Sequence, residues 1–342
     1  MSAGIPIVYI HESKELPGEL FTSMMSAHIS NPASPIYLLT NVERDGVTGN
    51  KTFDDALTYI DTAPYKHATE PLGEVFFNIS RMPGTFERMC LDRWFMLRSF
   101  VKERGFRTFF TLDSDVLLFI NVSDEVRRFQ AFDYTVSSTY NWCHALFNNA
   151  DVLNAYCDSV LEVYSRSTPL WRACCDYINL FDPSKQVLGL GDMILAGFFS
   201  EHVAPTLGYT FEYTAKVFDG ISYCSNMYLS LPDVELKEEK FEQHSHTIKK
   251  LFWIDGLPYG KLNATGELIR LACLHFQGES KVFMGEAFTR FIRLLSKSAV
   301  AQALPSTYSG MEVLQESLRL HKLRHVTAPI PPQVLRVEGF PQ

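Results

Sequence analysis

The chain is 342 residues long and 46% of them are apolar, enough for one large domain or two ordinary ones around a packed core. Aromatic residues reach 13% and charged residues 20%, a balance that excludes disorder, collagen-like repeats and coiled coil. Lys and Arg total 31 against 39 Asp and Glu, a net charge of −8 without any Lys/Arg block, so no nucleic-acid partner is expected.

Residues 5–10 (Ile-Pro-Ile-Val-Tyr-Ile) form a short β-rich run. A helical pattern follows through Leu20, Phe21, Met24, Met25 and Ile29 and stops at Asn31-Pro32, because proline biases the residue before it away from helix. Residues 36–40 are a second strand. Strand, helix, strand with short links opens a parallel, doubly wound sheet. Residues 43–85, rich in Gly, Asp, Thr and Pro, are expected to be irregular excursions outside the core. A helix is expected over 87–104, with a wide apolar face (Met89, Leu91, Trp94, Phe95, Leu97, Phe100, Val101) and Gly105 as its stop.

Residues 108–112 form the next strand, which runs into Asp113-Ser114-Asp115 and resumes over 116–120. Further on, 134–138 reads as a strand, and 151–164, 170–180 and 193–199 as helices. Residues 235–250 are charge-dense and expected to be solvated surface; His244 and His246 lie within them and are read the same way. Residues 269–276 are strand-like, 286–304 and 311–325 helical, and the tail with Pro329, Pro331, Pro332 and Pro341 extended. The expected fold class is α/β, a Rossmann-like doubly wound mixed sheet flanked by helices. The division is one domain over 1–285 and a helical extension with a Pro-containing tail over 286–342. Arg290, Arg293 and Lys297 beside Phe288, Phe291, Ile292 and Leu295 make 286–304 a basic amphipathic helix. It can rest on anionic lipid as a peripheral membrane contact or pack on the domain.

The seven cysteines are odd in number and contain no C-x-x-C pair, which argues against a zinc ribbon, a thioredoxin-like site or a secreted disulfide framework. The first residues carry no signal-peptide pattern and no run reaches the roughly 18 apolar residues of a membrane span. A cytoplasmic location is therefore expected, and the sequons at Asn78, Asn121 and Asn263 are read as accidental. A luminal piece of a longer chain is the alternative.

The strongest feature is Asp113-Ser114-Asp115 inside an apolar run. A buried, unpaired carboxylate costs several kcal/mol, so two together need compensation. A hard divalent cation supplies it, since two Asp side chains two residues apart can share one metal through oxygen. The bland alternative is a pair of strand-end caps facing water. A second feature is His275-x-x-Gly278-x-x-Lys281. His275 offers a metal a nitrogen ligand, Gly278 lets backbone approach an anion, and Lys281 brings a mobile positive charge for phosphate. The alternative there is a strand-end histidine, a turn glycine and a surface lysine.

D-x-D followed far downstream by H-x-x-G-x-x-K resembles the GT-A glycosyltransferases, specifically the retaining family that includes glycogenin and bacterial lipopolysaccharide galactosyltransferases. Three further patches resemble that family in order: the helix bearing Arg93, 20 residues before Asp113; residues 146–153 around Asn148; and Gly191-Asp192-Met193-Ile194-Leu195. The chain departs from the pattern at Val282-Phe283, where the family has Pro-Trp, at Met193 in place of glutamine, and at Asp151 in place of glycine. The resemblance implies a GT-A fold and transfer of a sugar from a nucleotide-diphosphate sugar, UDP-linked, to a hydroxyl of a glycan, lipid-linked or protein acceptor. It implies that Asp113, Asp115 and His275 hold Mn²⁺ or Mg²⁺ against the donor diphosphate. Lys281, Gly278, Ser114 and Arg93 would contact the donor, and His11, at the end of the first strand, the nucleotide base. Asp192 and Asn148 would lie at the reacting sugar. Other readings stay open. The D-x-D-V block also resembles haloacid-dehalogenase-like phosphatases, with Asp113 as nucleophile, although that motif usually stands near the chain start. A sugar nucleotidylyltransferase wants a Gly-rich signature after the first strand, absent here. A non-catalytic nucleotide-sugar-binding protein is the third class.

Overall fold

The computed structural model describes residues 4–43, 57–80, 82–138, 141–181, 190–214, 217–218, 221–222, 225–226, 241–245 and 248–295. Eight strands carry the argument: β1 (Ile7–His11), β2 (Ile36–Thr40), β3 (Leu57–Asp61), β4 (Phe109–Leu112), β5 (Val116–Leu118), β6 (Tyr134–Ser138), β7 (Asn141–Phe147) and β8 (Phe211–Tyr213). All but β5 form one sheet in the order β3-β2-β1-β4-β7-β6-β8. The pairs β3/β2, β2/β1, β1/β4 and β6/β8 are parallel, and β7 runs against both neighbours. The sheet is mixed and α/β, as the sequence leads one to expect.

The period-two alternation of the strands divides two cores. Ile7, Tyr9, Phe110, Leu112 and Leu146 face one side; Val8, Phe109, Ala145 and Phe147 face the other. Helix α1 (Gly18–Ser30) covers the first side with Leu20, Phe21 and Met24. The second is covered by α2 (Glu70–Val75), α3 (Gly84–Arg104), α5 (Asp151–Tyr164), α6 (Pro169–Phe181) and α7 (Asp192–Phe198). Between them α4 (Val122–Arg128) is capped by the Asn121 side chain, which accepts from the Ser123 amide. Gly105 ends α3 at φ 66, the left-handed stop its position indicated.

Several expectations need correction. Residues 43–85 contain an edge strand of the main sheet (β3), a 3₁₀ turn over Ala63–Thr69 and α2, with Leu57, Tyr65 and Leu72 buried in the core. Strand β7, next to the centre of the sheet, went unassigned; it mixes Asn, Cys and His with apolar residues and is buried on both faces, so no alternation marks it. The expected strand over 116–120 ends at Leu118, and 269–276 is two short strands, Leu268–Leu271 and Cys273–His275. Within the stretch read as solvated surface, Phe241 and Lys249 are buried, with the ammonium 4.2 Å from the ring centroid. The side chain of His244 and all of His246 lie outside the described residues, as do 296–342, including the expected helix over 311–325 and the tail.

Helix α8 (Met284–Leu295) is the described part of the basic amphipathic segment. Its apolar residues Met284, Ala287, Phe288, Phe291 and Ile292 are buried in the first core, with Phe291 4.9 Å from Phe119. That face is used for packing, and Arg290 pairs with Glu286 on the outside. Among the described residues no helix is long and apolar enough to cross a membrane. None of the six described cysteines is in a disulfide.

Candidate active site

Strand β4 ends at Leu112, and the next three residues turn the chain over the edge of the sheet. The Asp113 amide donates to the Cys143 carbonyl at 2.7 Å, and the Val116 amide to the Asp113 carbonyl at 3.3 Å. The chain then leaves as β5, which pairs antiparallel with Cys273–His275, so that His275 stands opposite Val116. The Phe276 amide donates to the Asp115 carbonyl at 2.9 Å and locks that register. Two segments 160 residues apart are thereby joined by ordinary sheet hydrogen bonds.

Around this junction lies a cleft of about 360 Å³. His275 Nε2 is 3.3 Å from Asp115 Oδ1. Gly278, at φ 57, begins a 3₁₀ turn over Gly278–Phe283 that brings Lys281 Nζ to 3.0 Å from Asp115 Oδ2. From the opposite wall, α3 contributes Arg93, whose guanidinium lies 5.1 Å over the Trp94 ring. Arg93 Nη1 donates to Asp113 Oδ1, and Nη2 to Asp192 Oδ2 at 3.3 Å. Asp192 is the first residue of α7. Three carboxylates, two basic side chains and one imidazole thus form two adjoining groups, Asp192–Arg93–Asp113 beside Asp115 with His275 and Lys281.

The two carboxylates of the D-x-D pair are held differently. Burial pushes the Asp113 carboxyl above its ordinary pKa and Asp115 adds to this, against the opposing pull of Arg93. Burial acts on Asp115 too, but His275 and Lys281 outweigh it and hold its carboxyl well below the usual range. Arg93 stays firmly charged because Asp113 and Asp192 outweigh its burial. Burial, and then the charge of Lys281, push the imidazole of His11, at the C-terminal end of β1, below its ordinary pKa. The Cys90 thiol, one turn before Arg93, is pushed up to about 12 by burial and the charge of Asp192, which disfavours the thiolate.

Of the residues singled out from the sequence, His11, Arg93, Asp113, Ser114, Asp115, Asp192, His275 and Lys281 all line this cleft. Gly278 sits just behind it in the turn that presents Lys281. Asn148 is not among the lining residues. It lies beyond the C-terminal end of β7, which pairs with the start of β4, at the opposite end of the strands from the cleft. There its Nδ2 donates to the Phe129 and Phe132 carbonyls, each at 2.9 Å, and closes a loop. Sequence reasoning missed Glu12, Trp94, Trp142, Gln277, Phe86 and Met89, which also line the cleft. Glu12 and Gln277 adjoin or fall within segments already singled out. Trp142 carries no local signal, since only the long-range pairing of β7 with β4 brings it here.

Asp113, Asp115 and His275 each offer one ligand atom, and the three atoms lie within 4.8 Å of one another. Two carboxylate oxygens and one imidazole nitrogen are a donor set that suits Mn²⁺ or Mg²⁺. The crowding of Asp113 against Asp115 is the charge imbalance that such an ion relieves.

No protein-family model and no curated protein matches the chain. Among solved structures it is similar to the galactosyltransferase LgtC in complex with donor and acceptor sugar analogues, with 12% identity over 90% of this chain and 99% of that one and a TM-score of 0.41. It is also similar to the WbbM bifunctional glycosyltransferase (8% identity, 89% of this chain and 51% of that one, TM-score 0.42). Mouse xyloside xylosyltransferase 1 is a further likeness (12% identity, 65% and 87%, TM-score 0.39). Scores of this size do not fix a family, so function has to be argued from the chemistry of the site.

Proposed function

We propose that the protein is a metal-dependent glycosyltransferase of the GT-A kind, transferring a sugar from a nucleotide-diphosphate sugar to a hydroxyl of a glycan or other acceptor. The observation that carries this reading is the Asp113/Asp115/His275 donor cluster set between two cations, Arg93 and Lys281, in one cleft. Bound at Asp113, Asp115 and His275, a divalent ion would offset the negative charge that develops on a departing nucleoside diphosphate.

The chain's own residues supply the rest. Lys281 is 45% exposed at its side chain and sits on a turn, so its ammonium can leave Asp115 for a phosphate oxygen. Arg93 presents a planar fork already oriented by Trp94 and two carboxylates, and it orients donor oxygens without rearranging the helix. His11 and Ile10 at the end of β1 form the wall for the nucleotide base. Asp192 faces the same space and accepts a hydrogen bond from a sugar or acceptor hydroxyl. Phe86 and Met89, each more than two-fifths exposed, form an apolar lip suited to the flat face of a sugar ring. The family resemblance adds a UDP donor and retention of configuration, which proton NMR of the product's anomeric centre checks.

The deciding experiment is nucleoside-diphosphate release from UDP-, GDP-, dTDP- and ADP-sugars, with Mn²⁺ and with EDTA, in the absence of acceptor. One responsive sugar with Mn²⁺ and none with EDTA is the expected result. Silence across the panel together with release of phosphate from phosphomonoesters overturns the reading.

A further inference from the structure

Glu87 is an acidic side chain that no part of the proposed reaction uses, and it is only 5% exposed. Its Oε1 accepts from Ser80 Oγ at 2.6 Å. Its Oε2 accepts no well-formed hydrogen bond and is aimed at the start of α7. Burial pushes its pKa up and the Asp192 charge adds to this, while Ser80 and the Asp192 backbone amide pull the other way. Among the described residues no ion pair reaches it. A carboxylate buried with so little compensation is costly, and that cost indicates a task.

Gly191 shows what the contact requires. A Cβ built on it falls 2.6 Å from Glu87 Oε2, 2.9 Å from Oε1 and 3.0 Å from Cδ. Its φ of −127° and ψ of −179° are open to any residue, so the glycine serves close approach, not an unusual dihedral. Glu87 therefore abuts the backbone immediately before Asp192, and the Asp192 side chain in turn meets Arg93 Nη2. Glu87 and Arg93 both belong to α3. The helix thus touches α7 twice, once at its backbone through Glu87 and once at its first side chain through Arg93.

We infer that Glu87 is a positioning residue for Asp192, fixing the first turn of α7 so that the Asp192 carboxylate stays on Arg93 and faces the cleft. The kinetic part of the test rests on the glycosyltransferase reading; the spectroscopic part does not. The variant Glu87→Gln keeps the volume and removes the charge that faces the start of α7. We expect kcat to fall at least about tenfold while the donor KM stays within about threefold, because Asp113, Asp115, His275 and Lys281 are untouched. In the Asp192→Asn background the same change adds less than about twofold, since the group it positions is already gone. Independently of turnover, the ¹⁵N resonance of the Arg93 guanidinium should move in Glu87→Gln in the direction it moves in Asp192→Asn. Gly191→Ala should reproduce that shift if Glu87→Gln does not fold. Fully additive kinetic losses, or an Arg93 resonance unmoved in both Glu87→Gln and Gly191→Ala, overturn the inference. A wild type without nucleotide-sugar turnover removes the functional reading and leaves the resonance test to decide this one.

Discussion

The two ends of strand β4 use the same residue types in opposite ways. At its start, Asp133 Oδ2 accepts from the Thr210 amide at 2.8 Å and from Thr210 Oγ1 at 3.0 Å, Asn149 Nδ2 donates to Asp133 Oδ1 at 3.1 Å, and Asn148 holds two carbonyls. Both Asp133 oxygens are met by neutral donors, and these hydrogen bonds outweigh burial and hold its carboxyl below its ordinary pKa. At its end, Asp113 is crowded by Asp115 and its pKa is raised. Hydrogen bonds that satisfy a carboxylate locally build a loop. Carboxylates crowded together in a cleft, with cations held at reach, build a site that is incomplete until a ligand arrives.

The sharpest way to break this comparison is Asp115→Asn. A neutral amide is a poor ligand for a hard cation, and the change also releases His275 and Lys281 from their shared partner. Metal-dependent turnover should drop by about a thousandfold or more. In thermal unfolding, Mn²⁺ should raise the melting temperature of the wild type and not of the variant, because only the protein that binds gains stability from the ion. Turnover within tenfold of wild type would remove Asp115 from the metal site.

The parts of the site legible in the sequence are those whose chemistry is local. Asp113 and Asp115 are two residues apart, and His275, Gly278 and Lys281 span seven residues, so spacing alone suggests shared ligation. Arg93 and Asp192 became visible only through resemblance to a family, because nothing local says that α3 and α7 converge. Glu87 was invisible for the same reason. It reads as a first-turn acid of α3, and only the built position of Gly191 shows its contact. Asn148 was legible as part of a pattern, yet the antiparallel sense of β7 carries it to the far end of the strands. The fold divides the same way. Strands β1, β2, β4 and β6 announce themselves by β-rich apolar runs. Edge strand β3 fully buries only Leu57, and β7 mixes polar with apolar residues yet is buried; both depend on neighbours for their identity.

A smaller effect is expected at Lys281. It is nearly half exposed, so replacing it with Ala should leave the fold intact and raise the donor KM about tenfold, with the acceptor KM unchanged. Equal effects on both substrates would mean that Lys281 supports the cleft as a whole and does not read the donor phosphates.

Asn148→Ala is predicted to behave in the reverse manner. It leaves the Phe129 and Phe132 carbonyls without their shared donor, a cost of about 1–3 kcal/mol in stability, while kcat and both KM values stay within about twofold below the melting transition. A selective fall in kcat at unchanged stability would return Asn148 to the catalytic set and undo the contrast between the two ends of β4.

The smallest expected effect is a difference of sign with pH, read in EDTA. Asp133 has a depressed carboxyl in the folded protein. Its stabilisation is therefore fully present above the unfolded value of about 3.9 and is lost as pH falls through the folded value. Replacing Asp133 with Asn should cost about 1 kcal/mol or less at neutral pH, since the group is partly open to water, and that cost should vanish in acid. Asp113 has a raised carboxyl. Its favourable contribution is fully present below the unfolded value and is lost as pH rises through the folded one. The stability difference between wild type and Asp113→Asn should therefore shift toward the wild type as pH falls. Parallel slopes for the two variants would show that both carboxylates sit in equivalent surroundings, and the distinction between a satisfied loop and an unfinished site would fall with them.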